Sequence, residues 1–167
     1  MGGDRRRLGA AVAEATRAGV SLRRLGPADA EAAAGLHTAH RADFPSTPAT
    51  EAARYEPAGM AELLTTTHAV GAWAGESLVA LTVLRRPAVE TGAPAETEFT
   101  LTRADHRGRG LATAVKAAAV LDLAREGVQR FATGGAQVNA AILAVNRHLG
   151  YVVEPLWLTL TAMDSSG

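Results

Sequence analysis

The sequence feature that most constrains the fold is a pair of glycines, Gly108 and Gly110, between a stretch typical of a strand and one typical of a helix. Residues 96–102 alternate in polarity, and the alanine-rich stretch after Gly110 carries apolar residues at helical spacing. Because glycine has no Cβ, the chain can turn tightly here and an anionic group can come close to the backbone. The sequence therefore predicts a strand, a tight turn and a helix that starts within the glycines.

The start of this helix is a predicted anion site. Its first N–H groups have no partners within the helix, and the positive end of the helix dipole lies there. Arg107 and Arg109 flank Gly108 and add fixed positive charge and planar donors that suit phosphate oxygens. Gly127 can adopt the left-handed conformation of a helix cap and is expected to end the helix.

Three kinds of nucleotide site use such a turn. A P-loop needs two glycines five apart followed by Lys-Ser or Lys-Thr, and the sequence contains no such run. A Rossmann fingerprint needs Gly or Ala where Thr113 stands, early in a βαβ unit, whereas this run lies late in the chain. The run Arg107-x-x-Gly110-x-Ala112 resembles the Q/R-x-x-G-x-G/A element of the GNAT superfamily of acyl-CoA N-acyltransferases. For this motif alone, a glycine-rich turn that binds no ligand is the alternative interpretation.

The downstream sequence extends the resemblance. In GNAT proteins the phosphate helix is followed by a strand, here residues 128–133, and by a helix that opens with Asn and closes at a Leu-Gly-aromatic corner, here residues 149–151. Asn139 and Asn146 are seven apart, so they share one helix face where two amides can meet one ligand. The segment is also similar to a branch that reads T…HRG…K and then N…N..LGY. The matching residues are Thr100, His106 to Gly108, Lys116, Asn139, Asn146 and Leu149 to Tyr151.

The resemblance implies an α/β (α+β mixed) fold, with a GNAT-like mixed central sheet and helices on both faces. Acetyl-CoA is the implied co-substrate, with no metal. The strand before the turn is implied to offer backbone groups to the pantetheine arm, as if to an added strand. The implied coenzyme-binding residues are Thr100, Leu101, Thr102, Arg107, Gly108, Arg109, Gly110, Leu111, Ala112, Thr113, Asn139 and Asn146.

The chain of 167 residues suits one domain. We expect an N-terminal arm or short helix over residues 1–19, a single acyl-CoA-binding domain over 20–163, and a disordered tail over 164–167. The sequence has no cysteine, which excludes disulfides and a cysteinyl acyl intermediate, so an acyl group must pass directly to the acceptor or through another nucleophile. The formal net charge of zero predicts no nucleic-acid or membrane partner. Without an apolar run of spanning length or a secretory core, a cytoplasmic location is expected.

The other predicted elements follow the order βααββ and then βαβαβ. Predicted strands cover residues 20–25, 68–73, 78–84, 96–102, 128–133 and 152–161, and predicted helices cover 27–39, 61–66, 111–127 and a segment from 139. Residues 41–58 are expected to form a loop with at most one short helix, because they are rich in proline and turn formers. The acceptor site is expected to lie among the loops near residues 40–60 and 85–95 and the final strands.

Acetyl transfer to an amine needs a neutral amine, donors to the developing oxyanion and a proton for the departing thiolate. Many GNAT enzymes place a tyrosine as that proton source five positions before the closing aromatic, which here is Asn146. An amide cannot act as a general acid, so Asn146 is expected to bind the coenzyme, while water or an acceptor-side group supplies the proton. Glu98 is the candidate catalytic base, because it is predicted to point away from the apolar side taken by Phe99 and Leu101. A solvated strand carboxylate is the alternative.

Three further side chains have two interpretations each. His37 and His40 lie three apart with Asp43 beyond, which is compatible with metal or acceptor binding, although such a pair is more often packed or at the surface. Lys116 is expected either to reach the outer phosphate of the coenzyme or to solvate its helix.

The sequence thus predicts an acetyl-CoA-dependent N-acetyltransferase acting on the primary amine of a small polar molecule. The alternative is a catalytically inactive coenzyme A-binding sensor or partner domain. Many relatives pair through their terminal strands, so a homodimer is a further expectation.

Overall fold

The fold is built on one mixed sheet, seen in a computed structural model that describes residues 2–43, 54–87, 92–133 and 140–152. The strands follow one another across the sheet in chain order. They are β1 (Ser21–Arg24), β2 (His68–Ala74), β3 (Ser77–Arg85), β4 (Ala95–Thr102) and β5 (Phe131–Thr133). The first four are antiparallel, and β5 pairs in parallel with β4.

Helices cover both faces of this sheet. They are α1 (Gly2–Arg17), α2 (Ala30–Ala39), α3 (Pro57–Thr66), α4 (Leu111–Arg125) and α5 (Ala140–His148), with single 3-10 turns at Pro27–Asp29, Arg41–Asp43 and Ala104–His106. On one face α1 and α4 pack into a cluster with strand residues such as Val79, and on the other α2 and α3 pack around residues such as Val83. The predicted mixed sheet with helices on both faces is confirmed.

The central strand β3 shows why the chain folds this way. Residues 78–84 are all buried, because both faces of that strand are covered by helices. The neighbouring Gly71 on β2 lies so close to the α2–α3 face that a Cβ there would come within 2.7 Å of side-chain atoms of Leu25 and Leu78. The close packing of β2 against that cluster therefore depends on glycine at this position.

Several element boundaries differ from the prediction. The N-terminal segment forms a helix of 16 residues, α1, whose Leu8 and Ala15 pack into the α4 cluster. Helix α3 begins at Pro57, four residues before the predicted start, since proline suits the first helical turn. Strand β5 begins at Phe131 rather than at residue 128. The predicted strand at 152–161 and tail at 164–167 lie almost entirely outside the described residues.

Strand β4 contains a bulge that the sequence did not reveal. Phe99 pairs with Val83 and Thr97 with Leu84, so Glu98 has no counterpart on β3. The extra residue moves the later odd-numbered side chains to the other face: Ala95 packs in the α1–α4 cluster, whereas Phe99 packs against the α2–α3 cluster. The predicted unbroken alternation, with Glu98 pointing away from Phe99, is therefore wrong.

Candidate functional site

The glycine turn forms as predicted between β4 and α4. Gly108 has φ +73° and Gly110, the residue before the first turn of α4, has φ +71°. A Cβ at either glycine would meet nothing within 4 Å, so conformation rather than space requires glycine. Successive left-handed and helical residues direct backbone N–H groups to one side, which suits an anion. A shallow hollow of about 230 Å³ lies beside this helix start, lined by Ala11, Glu14, Ala15, Arg109, Gly110, Thr113 and His148.

Arg107 connects the turn to the other side of the molecule. Its Nε donates to the backbone oxygen of Thr102 at 3.2 Å, and its guanidinium forms an ion pair with Asp43, which also accepts from His40 Nδ1 at 3.0 Å. The hydrogen bond from Arg107 is the main reason that the pKa of Asp43 lies below its usual value. A phosphate bound at the turn would compete with Asp43 for this guanidinium, because both are anions that accept from the same donors.

The rest of the turn is braced by its own polar side chains. Arg103 Nε donates to Asp105 Oδ1 at 2.7 Å, and His106 Nδ1 lies 2.9 Å from the same oxygen. These contacts, with Arg103 first, hold the pKa of Asp105 far below its usual value. Arg109 donates to the Asp105 backbone oxygen at 3.3 Å and remains exposed. Both predicted phosphate-binding arginines, Arg107 and Arg109, thus lie at the turn.

The described part of β5 pairs with the start of β4. The three residue pairs run from Ala95 with Phe131 to Thr97 with Thr133, and residues 134–139 lie outside the described residues. Strand β4 continues to Thr102, so residues 98 to 102 span four residue steps, about 13 Å of extended chain. This end of β4 carries Thr100, Leu101 and Thr102, the residues implied to meet the pantetheine arm.

Lys116 lies beside Thr133 and has no exposed surface. Its Nζ donates to Asn146 Oδ1 at 2.6 Å and to Thr133 Oγ1 at 3.4 Å, and lies 5.0 Å from the centre of the Tyr151 ring. No carboxylate of the described residues forms an ion pair with it, and burial lowers its pKa to about 8. Neither expectation for Lys116 is right, because the side chain points into the protein instead of toward a phosphate or solvent.

Asn146 and Tyr151 complete the buried cluster. Asn146 lies on α5 and its amide oxygen is directed to the ammonium of Lys116. The Tyr151 hydroxyl faces that of Thr97 without normal hydrogen-bond geometry, and burial raises the pKa of Tyr151 to about 12. We call Lys116, Thr133, Asn146 and Tyr151 the lysine cluster. Asn139, the other predicted asparagine ligand, lies outside the described residues.

Glu98 lies on the opposite side of the sheet from the lysine cluster. Its carboxylate, at the bulge, forms an ion pair with Arg85 and faces Tyr55, whose pKa is raised by burial first and by the charge of Glu98 second. Tyr55 in turn packs with His37 and Phe99. The centre of the His37 ring lies 5.1 Å from the centre of the Tyr55 ring and 5.0 Å from that of the Phe99 ring. We call Tyr55, His37 and Phe99 the aromatic cluster.

The predicted histidine pair does not form one site. His37 is buried in the aromatic cluster, where burial lowers its pKa, whereas His40 faces Asp43 and Arg107. The sequence reasoning also missed Tyr55 and Arg85. An isolated tyrosine in a proline-rich stretch and an arginine at a strand end carry no local signal, and only the fold brings them to Glu98.

None of the helices in the described residues is both long enough and apolar enough to cross a membrane. No protein-family model matches the chain, and no curated protein matches it significantly. Solved structures do match the fold over most of their length. An aminoglycoside acetyltransferase from an uncultured soil metagenomic sample, in complex with trehalose, has a TM-score of 0.68 and 12% identity over 88% of this chain and 97% of its own.

Two other solved structures give the same result. The ribosomal-protein-alanine N-acetyltransferase from Brucella melitensis biovar Abortus 2308 has a TM-score of 0.65 and 14% identity, over 86% of this chain and 99% of its own. The aminoglycoside N-acetyltransferase AAC(6')-Iy, in complex with the bisubstrate analogue CoA-S-monomethyl-acetylneamine, has a TM-score of 0.64 and 18% identity. The match covers 86% of this chain and 99% of its own. The chain therefore has the fold of GNAT-type acetyltransferases.

Proposed function

We propose that this protein is an acetyl-CoA-dependent N-acetyltransferase that transfers an acetyl group directly to the primary amine of a small polar molecule. The observation that carries the proposal is the glycine turn, which joins the end of β4 to the start of α4 and holds Gly108 and Gly110 in the left-handed conformation. In the proposal, β4 offers its edge to an extended amide-containing arm, and the turn offers backbone N–H groups to the diphosphate of that arm. Solved neighbours with this fold include one in complex with coenzyme A.

In this arrangement the diphosphate lies at Gly108 and Gly110, and Arg107 exchanges Asp43 for a phosphate oxygen. The arm runs back along β4 from Thr102 toward residue 98, with its backbone-like amides adding to the edge of the strand. The thioester end of the arm then lies beside Glu98, where β4 bulges. Asn146, on α5, and Asn139 are proposed as further coenzyme ligands.

Glu98 is proposed as the base that takes the proton from the attacking amine. It lies at the bulge, beside the expected position of the thioester, on the face that carries the aromatic cluster. A carboxylate and aromatic rings together suit a cationic amine before it is deprotonated. The soil enzyme with sisomicin bound, which shares this fold, supports a small polar acceptor such as an aminoglycoside.

The test is thiol release from acetyl-CoA in the presence of a panel of primary amines: aminoglycosides, amino sugars, amino acids and an alanine-initiated peptide. We expect amine-dependent release with at least one small amine. Glu98→Gln should then lower kcat/KM by about 100-fold or more. Binding of coenzyme A by calorimetry without turnover on any amine would instead support the inactive sensor, and no binding would refute both.

The phosphate role of Arg107 has a matched control. Replacing it by Gln should weaken coenzyme A binding by about 10-fold or more, the effect of losing a hydrogen bond to a charged group. Arg125→Gln removes an exposed arginine from the other end of α4, where its partner among the described residues is Asp122. Equal affinities for the two variants would contradict the proposed position of the diphosphate.

A further inference from the structure

Asp43 is a surface carboxylate that is held at the glycine turn. It ends the 3-10 turn that follows α2, and its partners among the described residues are the Arg107 guanidinium and His40 Nδ1. Asp43 and Arg107 lie 64 residues apart in the sequence, and the side chain of each is about half exposed. Because an exposed ion pair adds little to the stability of a protein, an anion with more charge can take Arg107 from Asp43 at low cost.

Strand β4 connects this carboxylate to Glu98. Arg107 donates to the backbone oxygen of Thr102, the last residue of β4, while it holds Asp43. Glu98 lies four residue steps earlier on the same strand, about 13 Å of extended chain. Measured along the strand, the two carboxylates are therefore separated by a distance on the order of 10 Å.

Helix α2 leads to Asp43 from the aromatic cluster. The His37 ring packs on Phe99, with the two ring centres 5.0 Å apart. His40 follows three positions later, where side chains lie about 5–6 Å apart, and its Nδ1 is 3.0 Å from Asp43 Oδ2. Asp43 thus lies at the border between the proposed coenzyme site and the proposed acceptor site.

Coenzyme A would affect the two carboxylates differently. Glu98 pairs with Arg85, which lies at the far end of β3 from the glycine turn. If the proposed function holds, a phosphate oxygen of the coenzyme takes Arg107, and Asp43 keeps only His40 of its described partners. An ionised carboxylate has acceptor sites for several donors, so Asp43 is then open to another cation.

We propose that Asp43 binds a second cationic group of the acceptor after a coenzyme phosphate has taken Arg107 away. The acceptor is then a diamine or polyamine, with its second ammonium group on the order of 10 Å from the nitrogen that reacts beside Glu98. His40 acts as a positioning residue, because its contact with Oδ2 keeps the carboxylate at the end of α2. Asp43 exchanges partners only, and no covalent bond forms or breaks there.

A purely structural role of the Arg107–Asp43 pair is the alternative. In that case the pair fixes the glycine turn to α2, and its loss disorders a phosphate ligand. Asp43→Asn would then weaken the binding of coenzyme A. If Asp43 instead competes with a phosphate for Arg107, the same substitution strengthens that binding. The two roles therefore predict effects of opposite sign.

Calorimetry with coenzyme A measures this sign in the wild type, Asp43→Asn, Arg107→Gln and the double variant. We expect Asp43→Asn to bind coenzyme A about 2- to 5-fold more tightly than the wild type, which corresponds to one exposed ion pair. In the Arg107→Gln background the second substitution should change nothing, since no arginine is left to release. Glu126→Gln is the matched control, because it breaks another partly exposed ion pair, with Arg86, just beyond the other end of α4. It should leave the affinity for coenzyme A unchanged.

The acceptor class is tested with linear diamines of increasing length and the monoamine of each length. For a diamine of matching length, the wild type should have a KM about 5-fold lower than for its monoamine. Asp43→Asn should remove this preference by raising the KM for the diamine, with little change in kcat or in the KM for the monoamine. In the wild type, coenzyme A and the diamine should strengthen each other's binding by the same factor, since both act on the Arg107–Asp43 pair.

The outcomes separate this role of Asp43 from the proposed function. Weaker or unchanged coenzyme A binding by Asp43→Asn, or an unchanged KM for the diamine, overturns the role of Asp43 while the protein remains an acetyltransferase. A wild type that binds coenzyme A but acetylates no amine refutes the proposed function, and the role of Asp43 fails with it. Turnover of the monoamine by Asp43→Asn shows that this variant is folded.

Discussion

Replacing Lys116 by methionine should stabilise the protein in a pH-dependent way. The pKa of this lysine is about 8 in the folded protein and 10.5 in the unfolded chain, because burial disfavours the ammonium. The two values are about 2.5 pH units apart, and each unit corresponds to about 1.4 kcal/mol. At pH 7 the buried charge therefore costs about 3 kcal/mol of folding free energy, which methionine, of similar length and without charge, does not incur.

The sign of the pH dependence follows from which state holds the proton. Below pH 8 both states are protonated and the full cost is present. Between pH 8 and 10.5 the unfolded chain binds more protons than the folded one, so the lysine becomes less costly as the pH rises. At pH 9.5 the remaining cost is about 1.4 kcal/mol, so the advantage of methionine should shrink by about 2 kcal/mol between pH 7 and 9.5.

Urea denaturation of the wild type and Lys116→Met at pH 7 and pH 9.5 measures this difference. Methionine also leaves the Asn146 amide oxygen without its donor, at a cost of about 1–3 kcal/mol. That cost is the same at both pH values. The other titrating groups are common to both proteins, so their contributions cancel when the two unfolding free energies are subtracted. A difference in unfolding free energy that is constant within about 0.5 kcal/mol would refute the assigned burial of the charge.

Two glycine substitutions test the packing and the turn. Gly71→Ala should lower the free energy of unfolding by about 1–3 kcal/mol, because the new methyl group would lie 2.7 Å from atoms of Leu25 and Leu78. The control is Gly9→Ala, in open space on α1, which should leave the free energy of unfolding unchanged or raise it. Both are measured by urea denaturation, and equal effects would contradict the close approach at β2. An alanine at position 110 would meet no neighbouring atom but would have to adopt the positive φ of Gly110. Gly110→Ala should therefore lower the free energy of unfolding by about 1 kcal/mol and weaken coenzyme A binding, as measured by calorimetry. Unchanged affinity would show that the turn backbone is not a ligand.

The local parts of this fold could be predicted from the sequence. Gly108 and Gly110 mark the turn because both need a left-handed backbone, and Gly127, at φ +97°, ends α4 as expected. The hairpin of β2 and β3 follows from two apolar runs on either side of the turn at Gly75. In each case the signal lies within a few residues of the structure that it specifies.

The parts that escaped prediction depend on distant contacts. A bulge at Glu98 leaves no mark in a strand whose polar residues suit either face, yet it reverses the direction of every later side chain. The sequence predicts that Lys116 reaches the outer phosphate of the coenzyme or solvates its helix, and lysine is rarely buried. Its partners Thr133 and Asn146 lie 17 and 30 residues further on, and only the packing of α4 against β5 and α5 brings them together.

The glycine turn between β4 and α4 has a consequence for the order of events in the proposed turnover. A ligand that binds the folded protein there adds its binding energy to the stability of the folded state. Saturating coenzyme A should raise the melting temperature and slow amide exchange in β4 and at the start of α4 together. Because the proposal places the thioester beside Glu98 only once the coenzyme is bound, steady-state kinetics should follow a compulsory order, with the nucleotide arriving before the amine and departing after the amide.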